Sequence, residues 1–226
     1  YGVAWNQGGS VRLQRLLSTG LELGAETTLG SSTQGPGPAL RWAGSGWALV
    51  WRSGGNLFFG RVSPTGATAV GPVQLTTSGG VANQFQLHWN GDKLGLAWTE
   101  QRAGDPPGQD VYFTVLDANG VKQFPEIVVA GSNWSDTQPS IYWTGTQFAV
   151  VHAYGLGWLR ETLVSPTGTL GSSRLLSNRA GQGAVASDGA TAGLAWAHSG
   201  ELHFQTTACL ADATPASCPT PTASYD

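Results

Sequence analysis

Charge is scarce in this chain: Asp, Glu, Lys and Arg make up 11% of its 226 residues, and the net charge is −3. The 11 basic residues are scattered, and no two of them are adjacent. Binding to nucleic acid or to an anionic membrane surface needs a concentrated basic patch, so neither partner is expected. No stretch approaches the ~20 uninterrupted apolar residues of a membrane span, and no membrane insertion is expected. Met is absent, and the chain opens inside a strand-like run at residues 1–5. It is therefore expected to be a processed or excised piece from which any signal peptide is gone. Nine Arg against two Lys, with abundant Ala and Gly, suggest a GC-rich bacterial gene. The sequence also lacks a Gly-x-Ser-x-Gly elbow, a His-x-x-x-His pair, an Asp-rich calcium loop and a glycine-rich phosphate loop. No cofactor and no metal are expected.

Cysteine is nearly missing too. Cys209 and Cys218 are the only two, separated by eight residues of a Pro/Ala/Thr loop. A disulfide closing that loop is the favoured expectation, worth about 2–3 kcal/mol, with two free thiols as the alternative. Two Cys without a second pair or a His cluster cannot complete a zinc site. A disulfide would imply export, which suits the Thr/Ser/Gly-rich composition. The expected location is secreted, periplasmic or at the cell surface.

What the chain has in abundance is Gly (33), Pro (12) and Trp (10). Many turn formers, few charges and many flat aromatics describe short strands joined by tight connections. Self-similarity organises them. The clearest copy starts at Pro38 and carries four strand-like runs, A to D. These are 38–42, 47–51, 56–62 and 72–75, parted by Gly44-Ser45-Gly46, a short loop and Ser63-Pro64-Thr65-Gly66. A second copy has 87–89, Asn90-Gly91-Asp92, 94–98 and 111–115, with Asp117-Ala118-Asn119-Gly120 in place of Ser-Pro-Thr-Gly. A third has 139–143, 148–152 and Ser165-Pro166-Thr167-Gly168. A fourth has 185–189, 193–196 and 201–204.

The residue ending strand B falls at Trp5, Trp51, Trp98, His152 and Trp196, in steps of 46, 47, 54 and 44. The long step holds the insertion Gly104-Asp105-Pro106-Pro107-Gly108. Four strands in ~40–50 residues, iterated, mark the blades of a β-propeller, since one such unit cannot bury both its faces alone. The expectation is an all-β, five-bladed propeller in one domain, 1–226. Its four-stranded antiparallel blades would span about 1–35 plus 219–226, 36–80, 81–132, 133–180 and 181–218. The first copy lacks strand A, and residues 221–226 fit that template, Tyr225 matching Trp42 and Trp143. The C-terminal strand is thus expected to complete the N-terminal blade and close the ring.

Pro-x-x-x-aromatic-x-Gly, as in Pro38 to Gly44 and Pro139 to Gly145, followed by an apolar strand ending in Trp, resembles repeats of secreted bacterial β-propeller proteins. The resemblance runs over nearly the whole chain. It implies the fold and is silent about activity, because propellers host lectins, hydrolases and docking platforms alike.

A propeller glycosidase needs two or three carboxylates converging at the axis. Most acids here sit in turns, such as Asp92, Asp117 and Asp188, where they cap the turn. Glu100 and Asp136 make at best a weak pair. His152 stands in a Trp slot and is expected to fill it with its ring hydrogen-bonded. His88 and His203 read as strand-face residues, and no triad is supported. The strand-B Trp residues read as inter-blade packing. Trp134 and Trp158 break the repeat in loop-like contexts, beside Asn133, Asp136 and Tyr154, where an exposed ring could stack on a sugar. The loops from D to A and from B to C share one face. That face would carry Asn6, Gln7, Arg52, Asn83, Gln84, Glu100, Gln101, Trp134, Asp136, Tyr154, Arg179 and His198, a set rich in amides. The expected function is non-enzymatic recognition of a glycan or protein partner. The expected ligand-binding residues are Trp134, Trp158, Tyr154, Asn133, Asp136, Glu100, Gln101 and Arg52. A glycan-degrading enzyme and a spacer domain of a larger surface protein are the alternatives.

Overall fold

The computed structural model describes residues 1–33, 35–105, 107–155, 157–177, 182–187, 192–198 and 201–206, apart from the side chains of Gln182 and His198. Five antiparallel sheets follow one another along the chain, matching the five expected blades. The first sheet holds β1 (Gly2–Gln7), β2 (Ser10–Arg15) and β3 (Thr27–Ser31). The second holds β4 (Ala39–Trp42), β5 (Trp47–Ser53), β6 (Asn56–Val62) and β7 (Thr68–Gln74). The third holds β8 (Asn83–Trp89), β9 (Leu94–Glu100), β10 (Asp110–Leu116) and β11 (Ile127–Ala130). The fourth holds β12 (Thr137–Trp143), β13 (Phe148–Tyr154), β14 (Trp158–Val164) and β15 (Leu170–Ser177). The last holds β16 (Gln182–Ser187), β17 (Ala192–His198) and β18 (Glu201–Thr206). No helix occurs among the described residues, so none crosses a membrane. The stretch 219–226 that would close the ring, and both cysteines, lie outside the described residues.

Each sheet is a meander because each connection is a turn that its sequence specifies. Ser63, Asp117 and Ser165 start the same C-to-D turn in three blades. In each, the amide four residues on donates to the starting side-chain oxygen, at 3.1, 2.9 and 2.9 Å. The fourth position must be left-handed, and Gly66, Gly120 and Gly168 occupy it with φ of 95, 81 and 86°.

The innermost strands β4, β8, β12 and β16 contact one another in succession. Apolar side chains then pack between consecutive blades rather than in one common centre. Val11, Leu13 and Leu29 meet Leu49 and Trp51 between the first two. Val50, Leu57 and Phe59 meet Leu87, Leu96 and Trp98 between the next two. Phe113 and Val115 meet Ile141, Phe148 and Val150 after that, and Val151 and Leu159 meet Leu194 last. Every residue of β9 and β10, the two central strands of the third blade, is buried.

Candidate functional site

The strand-B anchor sets the chemistry of each inter-blade junction. In antiparallel register it faces a fixed partner on strand C. Three blades make that pair aromatic and stacked. Trp51 lies on Phe58 at 6.2 Å and 23°, Trp98 on Tyr112 at 5.7 Å and 23°, and Trp196 on His203 at 5.3 Å and 15°. Trp51 also reaches across to the preceding blade, where its indole N–H donates to the Ser31 carbonyl at 2.9 Å. At Trp51 the anchor ring therefore fills the space between blades and closes it with a hydrogen bond.

The fourth blade replaces this pair by His152 opposite Arg160. The smaller ring leaves a cleft of about 280 Å³ between β11 of the third blade and β13, β14 and β15 of the fourth, lined by Gly131, His152, Tyr154, Arg160, Thr162 and Ser173 among others. Tyr154 pairs with Trp158 across the same face, their rings 6.2 Å apart. Arg160 stands 5.0 Å over the Tyr154 ring. Trp134 lies near Tyr154. Its backbone rests on Gly108, and a side chain at Gly155, next to Tyr154, would meet its Cβ at 3.7 Å. Trp134 is 57% exposed and Trp158 44%, so two large rings face solvent beside a polar hollow.

Four polar atoms of this junction, Asp110 Oδ1, Asp136 Oδ1, His152 Nδ1 and Arg160 Nε, are buried with no hydrogen-bond partner among the described residues. Native interiors rarely leave such atoms alone, because each costs desolvation without return. His152 Nδ1 is 3.9 Å from Asp136 Oδ1, too far for a hydrogen bond. The other oxygen of Asp136 accepts from the Ser132 hydroxyl at 3.1 Å. Burial pushes the Asp136 carboxyl up to about 6, with the Asp110 charge adding to it and Ser132 and Arg160 opposing. Burial likewise raises Asp110, helped by Asp105. Burial, with the Arg160 charge adding to it, holds the His152 imidazole down at about 4, so it is neutral at pH 7.

The structure gathers Asn133, Trp134, Asp136, Tyr154 and Trp158 at this one junction and places the other expected residues at the junction before it. Arg52 donates to the Ala82 carbonyl at 3.4 Å and to Asn83 Oδ1. Glu100 is fully buried. Its carboxylate accepts from the Trp98 indole at 3.1 Å, from Arg102 at 3.0 and 2.9 Å, and from Ser78. It is a structural group rather than an exposed one, while the adjacent Gln101 is exposed. Trp158 is the first residue of β14 and not a loop residue, which aligns its ring with Arg160 and Thr162 on the cleft face. His152 is buried as expected, and its ring has a hydrogen bond with the Ala153 backbone, although Nδ1 has no partner among the described residues and a cleft opens beside the slot. Arg160 and Asp110 escaped sequence reasoning. Arg160 could have been found as the cross-strand partner of the one non-Trp anchor. Arg179 lies outside the described residues, as does the His198 side chain.

None of the described innermost strands β4, β8, β12 and β16 carries Asp or Glu. Glu161, buried on β14, accepts from the Tyr142 hydroxyl at 2.7 Å and Arg174 Nε at 2.6 Å on the face turned to the fifth blade. Among the described residues no group of three or more His, Cys, Asp or Glu is placed to hold a metal ion.

No family model matches the sequence, and no curated protein matches it. Solved structures do. A protein from Lactobacillus plantarum superposes with a TM-score of 0.57 at 13% identity, over 95% of this chain and 64% of that one. A putative 6-phosphogluconolactonase from Bacteroides uniformis ATCC 8492 gives 0.56 at 15% identity, over 88% and 61%. An α-L-arabinofuranosidase from Lactobacillus brevis gives 0.50 at 12% identity, over 87% and 76%. The neighbours are propellers, and at these identities the likeness is one of fold: the chain has the blade architecture of a β-propeller.

Proposed function

We propose that this protein is an exported, non-enzymatic recognition module that binds glycan in the cleft between its third and fourth blades, and that residues 219–226 close its ring. One observation carries the function: at the fourth anchor His stands in place of Trp, and the cleft there is lined by His152 and Arg160, each with an unpartnered buried nitrogen, and by Tyr154, whose ring neighbours the exposed Trp158. Exposed indoles present a flat apolar face to a pyranose, while buried polar atoms below take its hydroxyls. Binding of the full chain to a broad glycan array, with Trp134→Ala as the control, tests the function. Binding that Trp134→Ala loses supports it. Silence from well-folded protein, or binding only to a protein partner, overturns it.

A glycan-cleaving role is the alternative, and the arabinofuranosidase with the same fold gives it a starting point. Asp110 and Asp136 would have to act as its acid and base, since Glu100 and Glu161 are held in ion pairs. Turnover of aryl glycosides, the α-L-arabinofuranoside included, that Asp136→Asn abolishes would establish catalysis.

A further inference from the structure

His152 and Arg160 line the cleft, and Asp136 lies behind His152, its Oδ1 3.9 Å from Nδ1. An unpartnered donor and unpartnered acceptors thus stand together at the cleft wall, and this narrows what can enter. Arg160 Nε–H is a donor that cannot be deprotonated. Asp136 Oδ1 is an acceptor, and the neutral His152 ring offers Nδ1 as one or the other according to its tautomer. An anionic group would satisfy Arg160 but would be pressed against Asp136 and Asp110. An ammonium group would satisfy the carboxylates but would meet Arg160, whose charge is felt at both Asp136 and His152. A hydroxyl both donates and accepts and carries no charge. An oxygen can also sit about 2.8 Å from His152 Nδ1 and Asp136 Oδ1 at once, because those atoms are 3.9 Å apart.

Size narrows it further. At about 280 Å³ the cleft falls just below the ~300–1,000 Å³ of pockets for drug-sized molecules. It accommodates one ring and not an extended chain, so longer ligands must run outward over Trp158 and Trp134.

We propose that the hollow beside His152 is a subsite for a single neutral sugar ring, with adjacent hydroxyls held between Arg160 on one side and His152 with Asp136 on the other. This rests on the glycan-binding function above and adds the ligand's charge class and the number of rings that enter.

The repeat supplies the variant that tests it. His152→Trp restores the residue that fills the same slot in the other blades and leaves Trp134 and Trp158 untouched. The probes are methyl glycosides of neutral hexoses and pentoses, the matching methyl uronosides and the matching 2-amino-2-deoxy glycosides, measured against the full chain by saturation-transfer NMR and calorimetry. At least one neutral glycoside is expected to bind, its charged counterparts about tenfold or more weaker, and His152→Trp is expected to abolish that binding. Should His152→Trp fail to fold, Arg160→Met and Asp136→Asn are each expected to weaken binding by about tenfold. Undiminished binding in these variants, or a preference for a charged glycoside, overturns the subsite. Longer glycans that bind wild type and His152→Trp equally but lose affinity in Trp134→Ala overturn the subsite and leave glycan recognition through the exposed indoles standing, whereas the absence of all glycan binding removes both.

Discussion

At the scale of residues, Asp136 and His152 titrate over the same pH window with opposite signs. The folded protein holds the Asp136 proton up to about 6, whereas an unfolded Asp releases it near 3.9. The folded state binds more protons there, so this group's contribution to stability falls as pH rises from about 4 to about 6. His152 resists protonation down to about 4, whereas an unfolded His takes a proton near 6.5. Its contribution therefore rises over that window. Asp110 acts in the sense of Asp136, His88 in the sense of His152, and Arg160 faces the pair. Removing one partner exposes the other. Stability of Asp136→Asn relative to wild type is expected to increase between pH 4 and 6 by on the order of 2 kcal/mol. For His152→Gln the difference is expected to run the other way. Denaturant titrations across that range check it, and pH curves parallel to wild type for both variants would contradict it. The sequence shows that His152 breaks the Trp series, and Trp134 and Trp158 stand out for the same reason. What it does not show is that Arg160 lies opposite His152, because that depends on strand register, or that Glu100 is enclosed by Arg102, Trp98 and Ser78.

At the scale of elements, turns and anchors divide the work. Gly168 and Gly145 both have positive φ, 86 and 101°. A Cβ at Gly168 would also stand 2.7 Å from the Phe124 ring, and one at Gly145 would meet nothing within 4 Å. Gly145→Ala is expected to cost about 1–2 kcal/mol in backbone strain alone, and Gly168→Ala clearly more, as thermal unfolding of the two variants would show. The anchors cost more still. Trp98 is fully buried and donates to Glu100, so Trp98→Ala is expected to lose about 3–5 kcal/mol in denaturant unfolding. Strands were legible where turns bounded them: β6 runs over the expected 56–62. They were less so where the pattern thinned. β7 begins at Thr68, ahead of the apolar run at 72–75, because the Gly71-Pro72 pair reads as a break that separates Thr68 and Val70 from that run. The start of β14 was hidden because Gly155 and Gly157 beside Trp158 read as loop.

At the scale of the whole molecule, the blades pack as a series in which each contacts its neighbours. If residues 219–226 complete the first blade, deleting them is expected to lower the melting temperature and to loosen β1 (Gly2–Gln7), whose exchange-protected amides would be lost first. Deletion without effect on either would contradict that closure. The fold was readable from the period alone, since five anchors at near-constant spacing leave few architectures open. The site was not, because a cleft between blades is made by two sheets meeting, and no local pattern records that meeting.

The exchange of Trp for His at a single anchor has a consequence for engineering. Apolar side chains pack between neighbouring blades rather than in a shared centre, so each junction can be altered with little effect on the next. The anchor thus works as an address that says which junction is sealed and which is open. Moving the His–Arg pair to Trp51 and Phe58 while sealing position 152 with Trp would carry the opening from the third junction to the first. The series of blades would be unchanged, and the cleft would open at a different place along it.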